Sequence, residues 1–488
     1  MFNKLLKFGL SGCIALCILM VSPVWATEGN AFSECSVVIA PGDAVALHDA
    51  LDNTDNEEGI ICLKGGTYKP HPTDRDVSFE VNINNVTLRG LIQAEGSGSN
   101  HGVRLSGNIG SPSIKEDNSL HVVTIREQTG VVIENLTIAD GYNEQTRDTA
   151  TGSGNGWGAG LLAVLSDVTL KRVIVRNNEM AFDGSGAGVA GLNSDLTLYH
   201  SIVQDNISAD DTGGVYGRDI PGLSAVPFSV LISHSLFQNN IATGLGGGGE
   251  AFGAAIQVFG QAAPNNRAQL LEVRHSTFLG NVVGATDETG NVINLGSGGA
   301  ISAFRVDNVI VDISTFTNNK ALGTNGQGGA LRVSSVTNAM VSDNTFKGNS
   351  GALGGAFEAV GGNSIVNHNS FEGNTAETGG AIAAIGALTA NNNSFINNSA
   401  SGIPNFFGQG EDVGGGAIAQ IGAGFFGLGG NLLELNNNVF DGNSDTSTLG
   451  LGDHIQCSLG AIIESRTGNQ FDNPGLADPN SVVGCTAP

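Results

Sequence analysis

Apolar and polar positions alternate along this chain in short runs, and the runs keep a fixed distance from two recurring landmarks. The first is an apolar residue followed three places later by Asn: Val175/Asn178, Val203/Asn206, Phe237/Asn240, Phe278/Asn281, Phe316/Asn319, Phe346/Asn349, Phe371/Asn374, Phe395/Asn398 and Phe440/Asn443. The second is a Gly-rich tetrapeptide ending in an apolar residue, starting at Gly158, Gly186, Gly213, Gly253, Gly298, Gly328, Gly354, Gly379 and Gly415. The two alternate strictly. An alternating apolar run begins seven residues before the anchor at Val168, Leu196, Val230, Leu271, Val309 and Leu433. Two earlier segments, Val81 to Leu88 and Val131 to Ile138, keep the same step without the Asn, so the chain holds at least eleven units. The closest anchors, Phe346, Phe371 and Phe395, are 24 to 25 residues apart, and no stretch of ten or more shows a helical period. Such a repeat is one turn of a solenoid of three short parallel strands, with turns stacked at about 4.8 Å.

Stacking puts equivalent side chains in columns, which gives each landmark a physical reason. Phe stacks on Phe inside, Gly supplies a corner backbone that other residues resist, and Asn tolerates the left-handed conformation while its amide bonds the next rung. Ahead of the repeats, Pro41-Gly42-Asp43 reads as a helix start, with Ala44, Leu47 and Leu51 on one face. This is a cap helix, since an open strand edge invites aggregation. The strand starting at Gly59 then opens the stack. The expected organisation is a signal peptide over 1–26, an N-terminal cap over 27–58, the solenoid over 59–450 and a C-terminal cap or tail over 451–488.

Composition narrows the class. Of 488 residues 73 are Gly and only 12 are Pro, 14% are charged and 40% apolar, which excludes long disorder, and there is no collagen-like Gly period. The net charge of -25 excludes a nucleic-acid partner, because affinity for the phosphate backbone comes from Lys and Arg. Lys4 and Lys7, the apolar run from Phe8 to Val21 and the small-residue site Val24-Trp25-Ala26 read as a secretion signal. Its removal shifts the charge from -25 to -27. A lipobox reading of Leu10-Ser11-Gly12-Cys13 is disfavoured, because most of the apolar run follows Cys13. No other apolar stretch is long enough for a transmembrane segment. The expected location is extracellular or cell-surface, with the periplasm left open. Four cysteines survive cleavage: Cys35, Cys62, Cys457 and Cys485. An exported chain permits disulfides, and of the three connectivities the local one, Cys35 to Cys62 and Cys457 to Cys485, is favoured by proximity. No CxxC or His-rich spacing supports zinc.

The opening GDAVALHDAL, GIICLKGGTY and VTLRG resembles that of right-handed parallel β-helix proteins of the pectate-lyase-like superfamily. The alternating GGAI and FxxN motifs resemble the repeats of polymorphic outer-membrane proteins, which are surface-exposed passengers of Gram-negative bacteria. The expected fold is therefore an all-β, right-handed parallel β-helix of about 11–13 rungs with a short N-terminal cap helix. The resemblance implies adhesion, glycan binding or polysaccharide cleavage. It stops short of membrane anchoring, since those proteins carry a C-terminal β-barrel and this sequence ends in VVGCTAP soon after the last repeat.

Insertions locate the candidate face. Four residues separate Asn from the next Gly motif in the tight rungs, but 16 do so at 282–297 and at 399–414, with smaller insertions at 260–267 and 422–430. Loops therefore gather at one corner and wall a groove. Just after the Gly motif the outward positions read Gln257, Ser302, Arg332 and Glu358, with Arg305 nearby, and Gln257, Ser302 and Arg305 are the glycan-binding candidates. A lyase of this superfamily implies a Lys or Arg base beside carboxylate ligands for Ca2+, which neutralises a uronate. Arg332 and Glu358 fit that pairing, and they fit an ordinary surface salt bridge as well. The clustered Asp and GHG signatures of the superfamily's galacturonan hydrolases are missing. His200, His234, His275 and His368 share the position three before the anchor, the first three on consecutive rungs. That row suits a transition metal, a pH response or plain exposed stacking. The polar segment 52–59 is a weak Ca2+ candidate without EF-hand ligand spacing. The main reading is an exported scaffold, adhesin-like or glycan-binding, whose partner is a polysaccharide or another cell-surface ligand. The alternative is a polysaccharide lyase or epimerase acting on an anionic polysaccharide.

Overall fold

The computed structural model describes residues 34–91, 102–109, 118–146, 156–223, 226–246, 249–262, 268–286, 292–323, 326–402, 414–421, 432–445, 454–458, 462–471 and 482–483. The expected signal peptide, Cys485 and most of the tail lie outside them. The chain is an all-β parallel β-helix in which three strand series repeat along one axis. The third series is a 13-stranded sheet whose members follow one another in chain order, so the described residues hold thirteen rungs, the upper end of the expectation. The first and second series belong to one 25-stranded sheet. They merge because Phe357–Asn367 and Ile382–Asn391 run through both without a break.

The columns arise as the repeat dictates. Phe237, Phe278, Phe316, Phe346, Phe371, Phe395 and Phe440 are paired in parallel register and fully buried. Their rings stack at 4.7 to 4.9 Å between centroids. Earlier rungs fill the column with Tyr68, Leu105, Ile138, Val175 and Val203. Each Asn of the motif bonds the next. Asn349 Nδ2 donates to Asn374 Oδ1 at 3.0 Å and to Phe316 O at 3.0 Å, while its Oδ1 accepts from Asn319 N and Nδ2 at 3.0 Å each. A second ladder runs through Ser201, Ser235, Ser276 and Ser314 and passes to Asn344, Asn369, Asn393, Asn438 and Asn469. Hydroxyl hands over to amide where the Ser314 N–H donates to Asn344 Oδ1 at 2.8 Å. These ladders satisfy corner backbone groups that would otherwise be buried without partners.

The helix Ala44–Asp52 forms as expected, with Asp43 as its cap accepting from Ala46 N at 3.0 Å. It buries Leu47, Ala50 and Leu51. Three expectations need correction. The step from Val81 to Leu88 is out of phase with that from Val131 to Ile138: Val81 pairs in the first series and Leu88 in the second, whereas Val131 lies in the second and Ile138 in the third. That rung's third strand is Val103–Ser106, displaced by an insertion that breaks the spacing. The stack also begins before residue 59, since Val37–Ile39 pairs with Ile61 to Leu63. It continues past 450, because Ile455 pairs with Ile418 and with Val482. Backbone pairing persists at both ends after the side-chain motif has faded. Cys35 and Cys62 form the expected disulfide. Cys457 is disulfide-bonded as well, and its expected partner Cys485 lies outside the described residues.

Candidate functional site

The described part of the insertion after Asn281 is itself folded. Ala285–Thr286 pairs antiparallel with Val292–Ser297, and Glu250–Phe252 adds in parallel. This small sheet stands at the corner leading into the first strand series, where the loops were expected to gather. Its Phe252 ring lies 6.0 Å from the Arg332 guanidinium carbon. The segments 263–267, 403–413 and 422–431 of the other insertions lie outside the described residues.

Register places Gln257, Ser302, Arg332 and Glu358 side by side on successive rungs, as expected. They are not a surface row, however: Gln257, Ser302 and Glu358 are 1%, 0% and 0% exposed. The expected surface salt bridge is a buried ion pair, Arg332 Nε to Glu358 Oε2 at 3.0 Å. Gln257 Oε1 accepts from Thr212 Oγ1 at 2.9 Å. Ser302 Oγ and Glu358 Oε1, on either side of Arg332 in the column, are buried without a hydrogen-bond partner. Burial pushes the Glu358 carboxyl from 4.5 up to about 7, against the opposing pull of Arg332. A folded-state value above the unfolded one means that Glu358 contributes stability fully below pH 4.5 and loses it as pH rises through about 7. Glu358→Gln is therefore expected to flatten the fall in melting temperature between these limits, measured as the difference from wild type. An unchanged slope would contradict this assignment.

Four side chains beside this row make a continuous stack that the sequence reading did not single out as a unit. The Arg218 guanidinium lies 4.7 Å from the centre of the Phe259 ring, Phe259 and Phe304 are 4.9 Å apart, and Arg305 caps Phe304 at 4.6 Å. All four are partly exposed. Arg218 donates to Tyr216 Oη at 2.9 Å, and Tyr216 stacks on the buried Trp157 at 5.4 Å. A signal was present: Arg218, Phe259 and Phe304 each lie three residues after the apolar residue at equivalent positions, Val215, Ile256 and Ile301, which register makes neighbours. With Arg332 the stack and its neighbouring column bring three guanidiniums together, with the Glu358 carboxyl on Arg332 and the buried Asp219 following Arg218, in a chain whose net charge is -25. Each guanidinium presents planar donors suited to carboxylate, and the stacked rings present their apolar edges between them.

His200, His234 and His275 stack as a row with 4.8 and 4.7 Å between ring centres, all exposed. Tyr199 meets His200 edge-on at 4.1 Å. Rings stacked in this way do not converge on one ion, and among the described residues no group of three or more His, Cys, Asp or Glu is placed to hold a metal. In the segment 52–59, Asn53 accepts from Asp55 N and Asn56 donates to Ala50 O, so these side chains build the turn. A separate groove of about 720 Å3 lies over the second series, between Asn308, Asn338 and Asn363 on one side and Ile310, Met340 and Ile365 on the other. It contains none of the candidate residues. Among the described residues no helix is long and apolar enough to cross a membrane.

No protein-family model matches the sequence, and no curated protein matches it. Among solved structures, similarity extends to a mannuronic acid specific polysaccharide family 6 lyase from human gut microbiota, at 13% identity over 92% of this chain and 90% of that one, with a TM-score of 0.49. A family 6 polysaccharide lyase from Pseudopedobacter saltans is 12% identical over 92% and 95%, TM-score 0.36. Tailspike protein 3 of a bacteriophage is 12% identical over 91% and 58%, TM-score 0.33. At such identities these neighbours assign no activity to this chain.

Proposed function

We propose that the protein is an exported, adhesin-like β-helix that binds an anionic polysaccharide along the outer face of its first strand series. The observation that supports this reading is the stack Arg218–Phe259–Phe304–Arg305, partly exposed and running along the solenoid axis. Arg218, Phe259 and Phe304 lie on successive rungs and Arg305 flanks Phe304, so an extended chain of sugars laid along the axis meets a ring or a guanidinium at each of these three rungs. Sugar rings pack against the exposed phenyl edges, and acidic groups accept from the guanidiniums. Export rests on the signal-like first 26 residues, and surface exposure on the GGAI and FxxN motifs.

The reading is tested by affinity electrophoresis against polygalacturonate, alginate and neutral dextran. Arg218→Ala and Phe259→Ala are each expected to weaken retention by the acidic polymers by about tenfold. Retention should fall with salt, since the guanidinium contacts are screened. Equal retention by dextran, or no effect of either variant, would overturn it. A lyase or epimerase is the second reading, favoured by the raised carboxyl of Glu358 beside Arg332. It ranks lower because Glu358 is fully buried and already paired. Release of unsaturated product from alginate or polygalacturonate in the presence of Ca2+, followed by ultraviolet absorbance, would reverse the order.

A further inference from the structure

The corner between the second and third strand series has a different chemistry from the face just described. His200, His234 and His275 occupy one position on three consecutive rungs with φ of 51°, 51° and 49°, and all three rings are exposed. The left-handed backbone does not require His. The same position is filled by Asn392 and Asn437 with φ of 56° and 55°. Hydrogen bonding of the corner is carried by the neighbouring column, where Ser201 N donates to Ser235 Oγ and Ser235 N to Ser276 Oγ. The corner backbone thus does not need the three imidazoles, whose local contacts are Ser233 Oγ at 2.6 Å from His234 Nδ1 and Tyr199 against His200, yet they are aligned at 4.7 to 4.8 Å, with Arg172 at the same corner position one rung before His200.

We propose that this row is an acid-gated binding site for a linear polyanion, which lies along His200, His234 and His275 with its acidic groups against their outer edges. An imidazole in its basic form carries no charge and offers a polyanion no electrostatic attraction. Protonation in mild acid turns an imidazole into a cation, and imidazolium rings held in contact repel one another. An anion spanning the row relieves that repulsion and raises proton uptake, and by linkage its own affinity rises as pH falls. The row is already predisposed to this coupling, because burial first, and then His234 and Arg172, hold His200 below its ordinary value. The surrounding charges leave the edge open to an anion. Lys171 pairs with Glu134 at 3.4 Å, and Arg274 sits between Glu272 at 2.6 Å and Asp312 at 3.8 Å. Asp343 shares the corner position two rungs beyond His275. On the third-series side the outward positions next to the row are Ile174, Ile202, Leu236 and Thr277, none of them acidic, and Asp205 lies beyond them at the far end of its strand.

The test measures fluorescence anisotropy of labelled polygalacturonate and labelled dextran sulfate with the full exported chain near pH 5 and near pH 7.5. The wild type is expected to bind at least one polymer about tenfold or more tightly at the lower pH. The triple variant His200→Asn, His234→Asn, His275→Asn should lose that gain while keeping its melting temperature, since Asn already serves this turn elsewhere. Binding of one polymer alone identifies carboxylate or sulfate as the recognised group. Arg218→Ala must retain the pH-dependent component, which separates this site from the face proposed above. An equal gain in the triple variant would assign the effect to general neutralisation of carboxylates and overturn the proposal. So would absence of binding by both polymers near pH 5.

Discussion

Asn349→Ala is expected to destabilise the solenoid by about 4 kcal/mol. The substitution removes an amide that holds four bonds at once. Asn319 N loses its side-chain acceptor, Asn319 Nδ2 keeps only Phe278 O, Phe316 O loses a donor, and Asn374 Oδ1 keeps only Asn349 N. All of these groups lie in the dry corner, where water cannot replace the lost partner, and each orphaned group costs roughly 1–3 kcal/mol. The loss is read from denaturant unfolding and, because a repeat array opens locally, from faster hydrogen exchange confined to rungs around Asn319, Asn349 and Asn374. A change below about 1 kcal/mol would show that the ladder is dispensable at this rung.

Gly355→Ala is expected to cost about 3 kcal/mol or to abolish folding. The second Gly of the motif has no room for a methyl group: a Cβ at 355 would lie 2.1 Å from Gly380 O and 2.7 Å from Thr375 N and O. All three are backbone atoms of the next rung, so relief requires the stack itself to part. Gly373 is the control. It has φ of 61° but nothing within 4 Å of its Cβ, and Asn318 and Asn397 adopt the same conformation at the equivalent corner. Gly373→Asn is expected to stay within about 0.5 kcal/mol of wild type, measured by the same unfolding experiment. Comparable losses in both variants would mean that backbone conformation, not rung-to-rung contact, fixes these glycines.

These two positions show why so much of the architecture is readable from residues alone. A parallel stack forces each rung to meet its equivalents above and below, so Phe346, Asn349 and Gly355 are dictated by neighbours of the same type. Periodicity then appears in the sequence. Where an insertion separates rungs the rule still acts in space but disappears from the spacing, as between Phe395 and Phe440, whose rings stack at 4.9 Å across 45 residues. The phase error at Val81 has the same origin, since the third strand of its rung follows a segment that carries no motif.

The candidate site was legible only as positions. Gln257, Ser302, Arg332 and Glu358 could be assigned to one column because register follows the Gly motif. Their burial could not, because it depends on what packs against the row from elsewhere in the chain, such as Phe252 beside Arg332 and Thr212 on Gln257. The aromatic and arginine stack was hidden for a related reason: Arg218, Phe259 and Phe304 lie 41 and 45 residues apart and differ in type. The sequence by itself determined the rung, its columns and the cap helix, since these follow from local pattern repeated in parallel register. The tertiary structure alone decided that Glu358 is a buried partner of Arg332, that Arg218, Phe259, Phe304 and Arg305 form one ledge, and that three His rings stand exposed in contact. Each of those facts depends on what covers or flanks an outward position, and outward positions, unlike the core columns, are under no obligation to repeat.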